Sequence, residues 1–368
     1  TAITIGYEHM KAPNAVKRQA NEIGLSVGLS FPRFLLPFRL STRKVNMPRT
    51  KVELSFNYQD RPYYRRDLSR ATWTYSWRSV NGRYNYQIRP IDLNWINVGY
   101  LDESFFNSLR NEYLRQSYQT QAIVGLSASY VYNNQNKNIN GNATLMRINF
   151  ESAGNLLNLF ERAFSHKVEG GYYNILGVRY SQYVRSDISI SRKIVLGEKT
   201  ALAGRIFAGC GVPYGNSSAL PFDRLFYVGG SNSMRGWVAR TLGPGNAVVE
   251  DTPYPVQMGD MRLEANLEFR FPIWGMFHGA TFLDLGNVWY LGMDKTQVPA
   301  ESIFHFNRFY KQLGFNTGFG LRLDIKFVIL RLDWGIQLHN PNNPAGERWI
   351  HNFRWKNTAL NFGVGYPF

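Results

Sequence analysis

The chain has 368 residues, 44% hydrophobic and 15% aromatic, with 42 Lys and Arg against 26 Asp and Glu and a formal charge of +16. No apolar run approaches the roughly 18 residues of a membrane helix; the longest clean one is Phe327-Val328-Ile329-Leu330. A helical membrane protein and a disordered chain are therefore excluded, whereas a barrel, whose strands give a weaker alternating signal, is not. The single cysteine, Cys210, excludes a disulfide framework and a Cys-based zinc site. The positive charge suits anionic head groups or basic loops; with no basic stripe along a helix, nucleic acid is not an expected partner. Thr1 opens directly on a strand-like pattern with no visible signal peptide, so a processed or truncated product is expected, its upstream sequence absent.

In chain order the dominant period is two. A basic connection covers 11–21. Val52, Leu54, Phe56 and Tyr58 then alternate with Lys51, Glu53, Ser55 and Asn57, and Ala71, Trp73, Tyr75 and Trp77 with Arg70, Thr72, Thr74 and Ser76. Connections 102–117 and 155–166 read as partly helical, and Met146, Ile148 and Phe150 alternate between them. Leu202, Ile206, Ala208 and Cys210 share a face opposite Ala203 and Arg205. Segments 213–222, 241–259 and 339–349, rich in Pro, Asn and Gly, read as loops. The cleanest alternation runs from Met261 to Phe271, with Arg262, Glu264, Asn266, Glu268 and Arg270 between the apolar residues. From Leu321 the phase is odd, and from Val328 it is even, which predicts a tight hairpin near Lys326-Phe327. At the end Thr358, Leu360, Phe362, Val364, Tyr366 and Phe368 share one face. A bare Phe on a soluble edge strand is avoided, but in a lipid-facing strand it is an interface anchor.

About fifteen strand-like segments are long enough to cross a bilayer when tilted. A sandwich or propeller is the alternative for so many strands. Strand length, charged or small residues on one face, and Trp, Tyr, Phe and Leu on the other favour a membrane barrel. No composition break or linker divides 1–368, so one transmembrane barrel domain is expected.

Chemistry is not signalled. The six histidines are scattered, and there is no H-E-x-x-H helix or G-x-S-x-G elbow. Gly209-Cys210-Gly211 and Gly318-Phe319-Gly320 lie in strand patterns, where Gly relieves crowding. No catalytic, cofactor-binding or metal-binding residue is assigned, and an enzyme is not expected.

The segment 226–245 is hard to read as barrel wall. Gly229-Gly230, then Ser233-Met234-Arg235-Gly236-Trp237 and Leu242-Gly243-Pro244, resembles the loop motif of the BamA/TamA superfamily of outer-membrane barrels. Phe282-Leu283-Asp284-Leu285-Gly286 resembles that family's F-x-D-x-G strand. Gly320-Leu321-Arg322-Leu323-Asp324 with Leu330-Arg331-Leu332-Asp333 resembles its penultimate hairpin, and Phe362 to Phe368 its last strand. The likeness is specific over about 220–368. Over 1–219 it is looser, where Pro32, Pro37 and Gly154-Asn155-Leu156-Leu157 are similar to the TamA-like (TamL) proteins of the Bacteroidetes. Met234 departs from the family's Val or Ile, and no periplasmic POTRA-type domain is present in this sequence.

The resemblance implies an all-β fold: a 16-stranded antiparallel transmembrane β-barrel in the bacterial outer membrane, with a long loop folded into its lumen. It implies that Arg235 at the loop tip is held by Glu268 and Asp284, since an unpaired buried charge is costly and a guanidinium suits bidentate pairing. It implies a weakly paired last strand, with Gly363 and Gly365, that opens against the first strand or templates an incoming one. Phe362, Tyr366 and Phe368 resemble the sorting signal of such barrels. The implied function is insertion or translocation of outer-membrane proteins without a cofactor. Substrate proteins, membrane lipids and periplasmic or membrane assembly subunits are the candidate partners. A two-partner secretion exporter, a passive channel and a barrel fused to a patatin-type lipase are the rivals.

Overall fold

The computed structural model describes residues 2–9, 19–36, 46–109, 112–135, 141–164, 171–248, 257–292, 298–325, 327–350 and 353–368. Most of the basic connection 11–21, together with Pro37, His166, Lys326 and part of 241–259, lies outside them. Sixteen strands are present among the described residues: β1 (Ala2–His9), β2 (Gln19–Phe31), β3 (Asn46–Asp60), β4 (Tyr64–Arg78), β5 (Tyr84–Leu101), β6 (Gln121–Asn133), β7 (Ala143–Ala153), β8 (Asn174–Ile175), β9 (Val178–Arg179), β10 (Tyr183–Gly197), β11 (Thr200–Pro213), β12 (Met261–Trp274), β13 (Phe277–Trp289), β14 (Gly314–Asp324), β15 (Ile329–His339) and β16 (Thr358–Val364). The helices are α1 (Glu103–Ser108), α2 (Glu112–Ser117) and α3 (Asn155–Phe164), within the two connections that read as partly helical.

Fourteen strands pair in chain order, while β8 and β9 form a separate hairpin. The all-β, largely antiparallel sheet is the expected one, with fourteen of the expected sixteen strands in it among the described residues. Two of the sixteen strands are two-residue arms outside the sheet, and among the described residues β1 and β16 stand at the two ends of its strand order. The turn between β14 and β15 falls at the phase flip, with Leu323 opposite Leu330 and Asp324 opposite Ile329.

Contacts divide the chain into two compact units. The first comprises 1–131, 148–186 and 211–224. Its strands β1 to β5 are antiparallel neighbours, with Leu25 opposite Phe56, Leu54 opposite Ala71 and Ala71 opposite Leu93. Asp102 caps α1 by accepting the Phe105 amide at 2.9 Å. An aromatic cluster closes this end. Phe105 stacks on Tyr63, and Tyr118 meets Phe222 at 4.5 Å between ring centres. On the polar face, Arg70 grips both oxygens of Asp92 and Arg66 those of Asp223, while Glu151 accepts from Arg224 and Tyr183.

The second unit comprises 132–147, 187–210 and 225–368. Along β12 the burial is the reverse of a soluble sheet. Glu264, Asn266, Glu268 and Arg270 are buried, while Leu267 is 43% and Phe269 39% exposed. The same inversion continues through β13 to β16, where Leu283, Phe319, Leu332, Leu360 and Phe362 are exposed and Asp284, Arg322, Arg331 and Asp333 are buried. An apolar face this extensive marks contact with a membrane or partner. The alternation alone is equally compatible with a sandwich; the direction of burial separates the two.

Candidate functional site: an arginine-tipped loop on the polar face

The connection from β11 to β12 supplies the loop. Its backbone folds on itself: Gly230 N–H donates to Trp237 O at 2.8 Å, Trp237 N–H to Met234 O at 3.1 Å and Arg240 N–H to Val228 O at 3.0 Å. Gly229 and Gly230 carry φ values of 101° and 87°, a region that favours glycine, and a Cβ at Gly229 would strike the Val238 carbonyl. Ser233 Oγ accepts the Gly229 amide and donates to Glu264 at 2.7 Å, joining the loop's start to β12. Met234 and Trp237 pack with Phe226, Val228, Leu242 and Val288 into a buried cluster. Burial of these apolar side chains holds the loop against the sheet, each worth roughly 1.5–3 kcal/mol.

Arg235 projects from this support and is 0% exposed. Its Nε and Nη2 donate to the two oxygens of Asp284 at 3.0 and 2.9 Å, and its backbone N–H reaches the same carboxylate at 3.0 Å. Nη1 donates to Glu268. The two acids stand on paired strands, with Asn266 opposite Asp284 and Glu268 opposite Phe282. The guanidinium carbon sits 3.5 Å from the Phe282 ring centre, a cation–π contact. Asn266 and Asn316 each donate to Asp284, at 2.9 and 3.0 Å. A Cβ on Gly236 would overlap Asn316 Cβ at 2.6 Å, so the close approach of tip and wall needs glycine there.

The network extends past these two acids. Arg270 and Arg322 also donate to Glu268, at 2.8 and 3.2 Å. Arg322 and Arg331 share Asp333, at 2.6 and 3.2 Å, and Arg331 donates to Asn232 in the loop. Four guanidinium groups thus interleave with three carboxylates. The loop and strand motifs single out Arg235, Glu268 and Asp284 but assign no role to Arg270, Arg322, Arg331 or Asp333. The signal was present, because all four are polar members of alternating strands. Which of them meet depends on strand register, and period two does not specify register.

The last strand joins this network. Asn361 Nδ2 donates to Arg235 O at 2.8 Å. Gly363 lies where a Cβ would come within 2.8 Å of Arg331 Nη2, so its smallness makes room for that guanidinium. Phe362 and Val364 are on the exposed apolar face. Phe368 is not, which corrects the expected interface anchor. Gly365 adopts φ 77° and β16 stops at Val364; beyond it Tyr366 is 42% exposed, whereas Pro367 is buried and Phe368 only partly exposed. The Tyr366 ring lies 4.0 Å from the Arg270 guanidinium, and the Phe368 ring 5.5, 6.0 and 5.9 Å from those of Arg205, Arg235 and Arg270.

Comparison with known proteins agrees with this architecture. The family model described as the Omp85 superfamily domain matches residues 5–368. Among solved structures the chain is similar to BamA from Haemophilus ducreyi lacking POTRA domains 1-3, with a TM-score of 0.60 and 16% identity over 94% of this chain and 61% of that one. It is also similar to CdiB from Escherichia coli, with a TM-score of 0.54 and 12% identity over 98% of this chain and 55% of that one. The chain therefore spans less than two thirds of the length of either. No curated protein sequence matches it. The family matched over nearly the whole chain and the inverted burial of its sheet lead to one conclusion: this chain belongs to the Omp85 superfamily, in the bacterial outer membrane.

Proposed function

We propose that the chain is the barrel portion of an outer-membrane assembly or translocation factor, working through the edge between its first and last strands. The observation that carries this reading is the pairing of β16. It is seven residues long, is hydrogen-bonded to β15 from Ile336↔Thr358 to Leu330↔Val364, and ends the sheet on its other side. A strand edge in lipid cannot remain unpaired, so a second strand from another chain is stabilised there by backbone hydrogen bonds. The loop clamp supports the β12–β15 wall on which that edge rests. No covalent step or cofactor is required: the work is to supply backbone partners and an apolar-to-polar transition.

Outer-membrane protein substrates and membrane lipids are the partners this mechanism needs, with periplasmic or membrane assembly subunits as further candidates. Within the superfamily, the likeness of Pro32 and Gly154-Asn155-Leu156-Leu157 to TamL-like proteins favours an assembly role over a dedicated exporter. Depletion of the full-length protein in its native cell, followed by quantitative proteomics of the outer membrane, tests the reading. A broad loss of barrels or surface lipoproteins is expected. Loss of one secreted protein alone would replace it with a dedicated exporter, and altered solute uptake without protein loss with a channel.

A further inference from the structure

The connection from β7 to β10 carries two apolar surfaces that the loop clamp does not use. On α3, Leu156, Leu159 and Phe160 are exposed at i, i+3 and i+4, so they form one face. Asn158, on the other side, is buried and donates to the Tyr180 hydroxyl at 3.3 Å. The hairpin β8–β9 pairs Ile175 with Val178 around Leu176-Gly177. Both turn residues have positive φ, 49° and 80°, a conformation that selects Asn, Asp or Gly at the first position. Leu occupies it instead and is 88% exposed. A large apolar side chain held outward at an unfavourable backbone position needs a reason beyond turn formation.

The surroundings of the hairpin supply that reason. Ile175 and Leu176 border a groove of about 730 Å³ whose floor includes Val27, Leu54, Phe56 and Leu93. Val27, Leu54, Phe56 and Leu93 are exposed members of the apolar face of β2, β3 and β5. The groove is thus continuous with the lipid-facing surface, and its volume falls within the roughly 300–1,000 Å³ of clefts that enclose small ligands. We propose that this hairpin holds an acyl chain of a bilayer lipid against the β2–β5 wall, with α3 lying in the membrane interface beside it. Amphipathic helices with such a face bury it at the boundary of head groups and acyl chains. The inference rests on the outer-membrane barrel reading. It adds a place where the protein would order or displace lipid next to its wall.

The test uses the full-length protein in phosphatidylcholine vesicles containing a phosphatidylcholine with a photoreactive acyl chain and no other protein. After illumination, labelled peptides are mapped by mass spectrometry. Labelling of 171–180 is expected at a level comparable to that of the β16 segment 358–364. In Leu176→Asp, labelling of 171–180 should fall at least fivefold while labelling of 358–364 is unchanged. Leu176→Ser serves if the aspartate variant does not fold. Absence of label on 171–180 in the wild type, or equal label in wild type and variant, overturns the proposal. Because no client protein is present, labelling attributes the acyl chain to the bilayer and not to a lipidated client. Depletion proteomics remains an independent measurement, so failure of the lipid assay and failure of the assembly role are told apart.

Discussion

Replacing Arg235 by Ala removes three guanidinium hydrogen bonds and the contact with Phe282. Glu268 keeps Arg270 and Arg322, so its charge stays compensated. Asp284 is affected most: it is fully buried, and among the described residues it retains Asn266, Asn316 and the backbone N–H of position 235 as donors, all neutral. Breaking a buried ion pair from one side costs roughly 3–5 kcal/mol, and the three remaining donors place this case near the lower end. At about 1.4 kcal/mol per tenfold change, about 3 kcal/mol shifts the docking equilibrium of the loop more than a hundredfold. Limited proteolysis of the folded protein should therefore cut within 226–245 far faster in Arg235→Ala, and the temperature at which the barrel loses its compact gel mobility should fall. Arg235→Lys keeps the charge but not the bidentate geometry and should fall between. If Arg235→Ala is cleaved no faster than the wild type and melts at the same temperature, the clamp reasoning is wrong.

Three further outcomes follow from particular contacts. A Cβ at Gly335 would meet the Arg235 carbonyl and come within 2.7 Å of Gly236 N, whereas one at Gly346 meets nothing within 4 Å; Gly335→Ala should loosen the loop to proteases and Gly346→Ala should not. Phe368→Ala removes a ring near three guanidinium groups and should cost about 1 kcal/mol in heat stability and raise cleavage in 226–245, an effect absent if that ring faced lipid. Hydrogen bonds from the Ser104 hydroxyl and the Phe105 amide hold the Asp102 carboxyl below its ordinary value. Because the folded value is the lower one, the cap's stabilisation is present above the ordinary Asp range, near pH 4, and is lost as pH falls through the folded value. Amide exchange at Phe105, corrected for its intrinsic pH dependence, should therefore speed up below about pH 4, and Asp102→Ala should show the fast rate at neutral pH.

The legibility of the sequence differed from place to place. The alternation from Met261 to Phe271 correctly paired residues onto faces, because a strand's side-chain period is two whatever surrounds it. It did not say which face is buried; Glu268 at 0% and Phe269 at 39% exposed settle that. At the C-terminus the same reasoning ran too far. Extending the period through Gly365 put Phe368 on the apolar face, but the period holds only for extended backbone, and Gly365 leaves that region. The number of strands in the sheet was not legible for a related reason. The arms of β8 and β9 have two residues each, too short to carry a period, and their hairpin leaves the sheet. Arg235, Glu268 and Asp284 were legible through the loop motif, which specifies residue types at fixed spacing. The other cations and Asp333 required register across four strands.

That register also explains why the loop tip and the last strand act as one element. Arg235 meets Asp284 and Glu268 through its side chain and Asn361 through its carbonyl, so a single residue touches β12, β13 and β16. Arg331, one strand before the last, reaches Asn232 in the loop and occupies the space left by Gly363. Moving β16 away from β15 would break the Asn361 contact and uncover Arg331. Undocking the loop would remove the Asn361 acceptor and the Asn232 acceptor together. Such coupling is reciprocal: whatever loosens the tip favours release of the last strand to the same extent that release of the strand loosens the tip. A clamp that ties β12 and β13 to β16 through one residue therefore sets how readily β16 separates from β15.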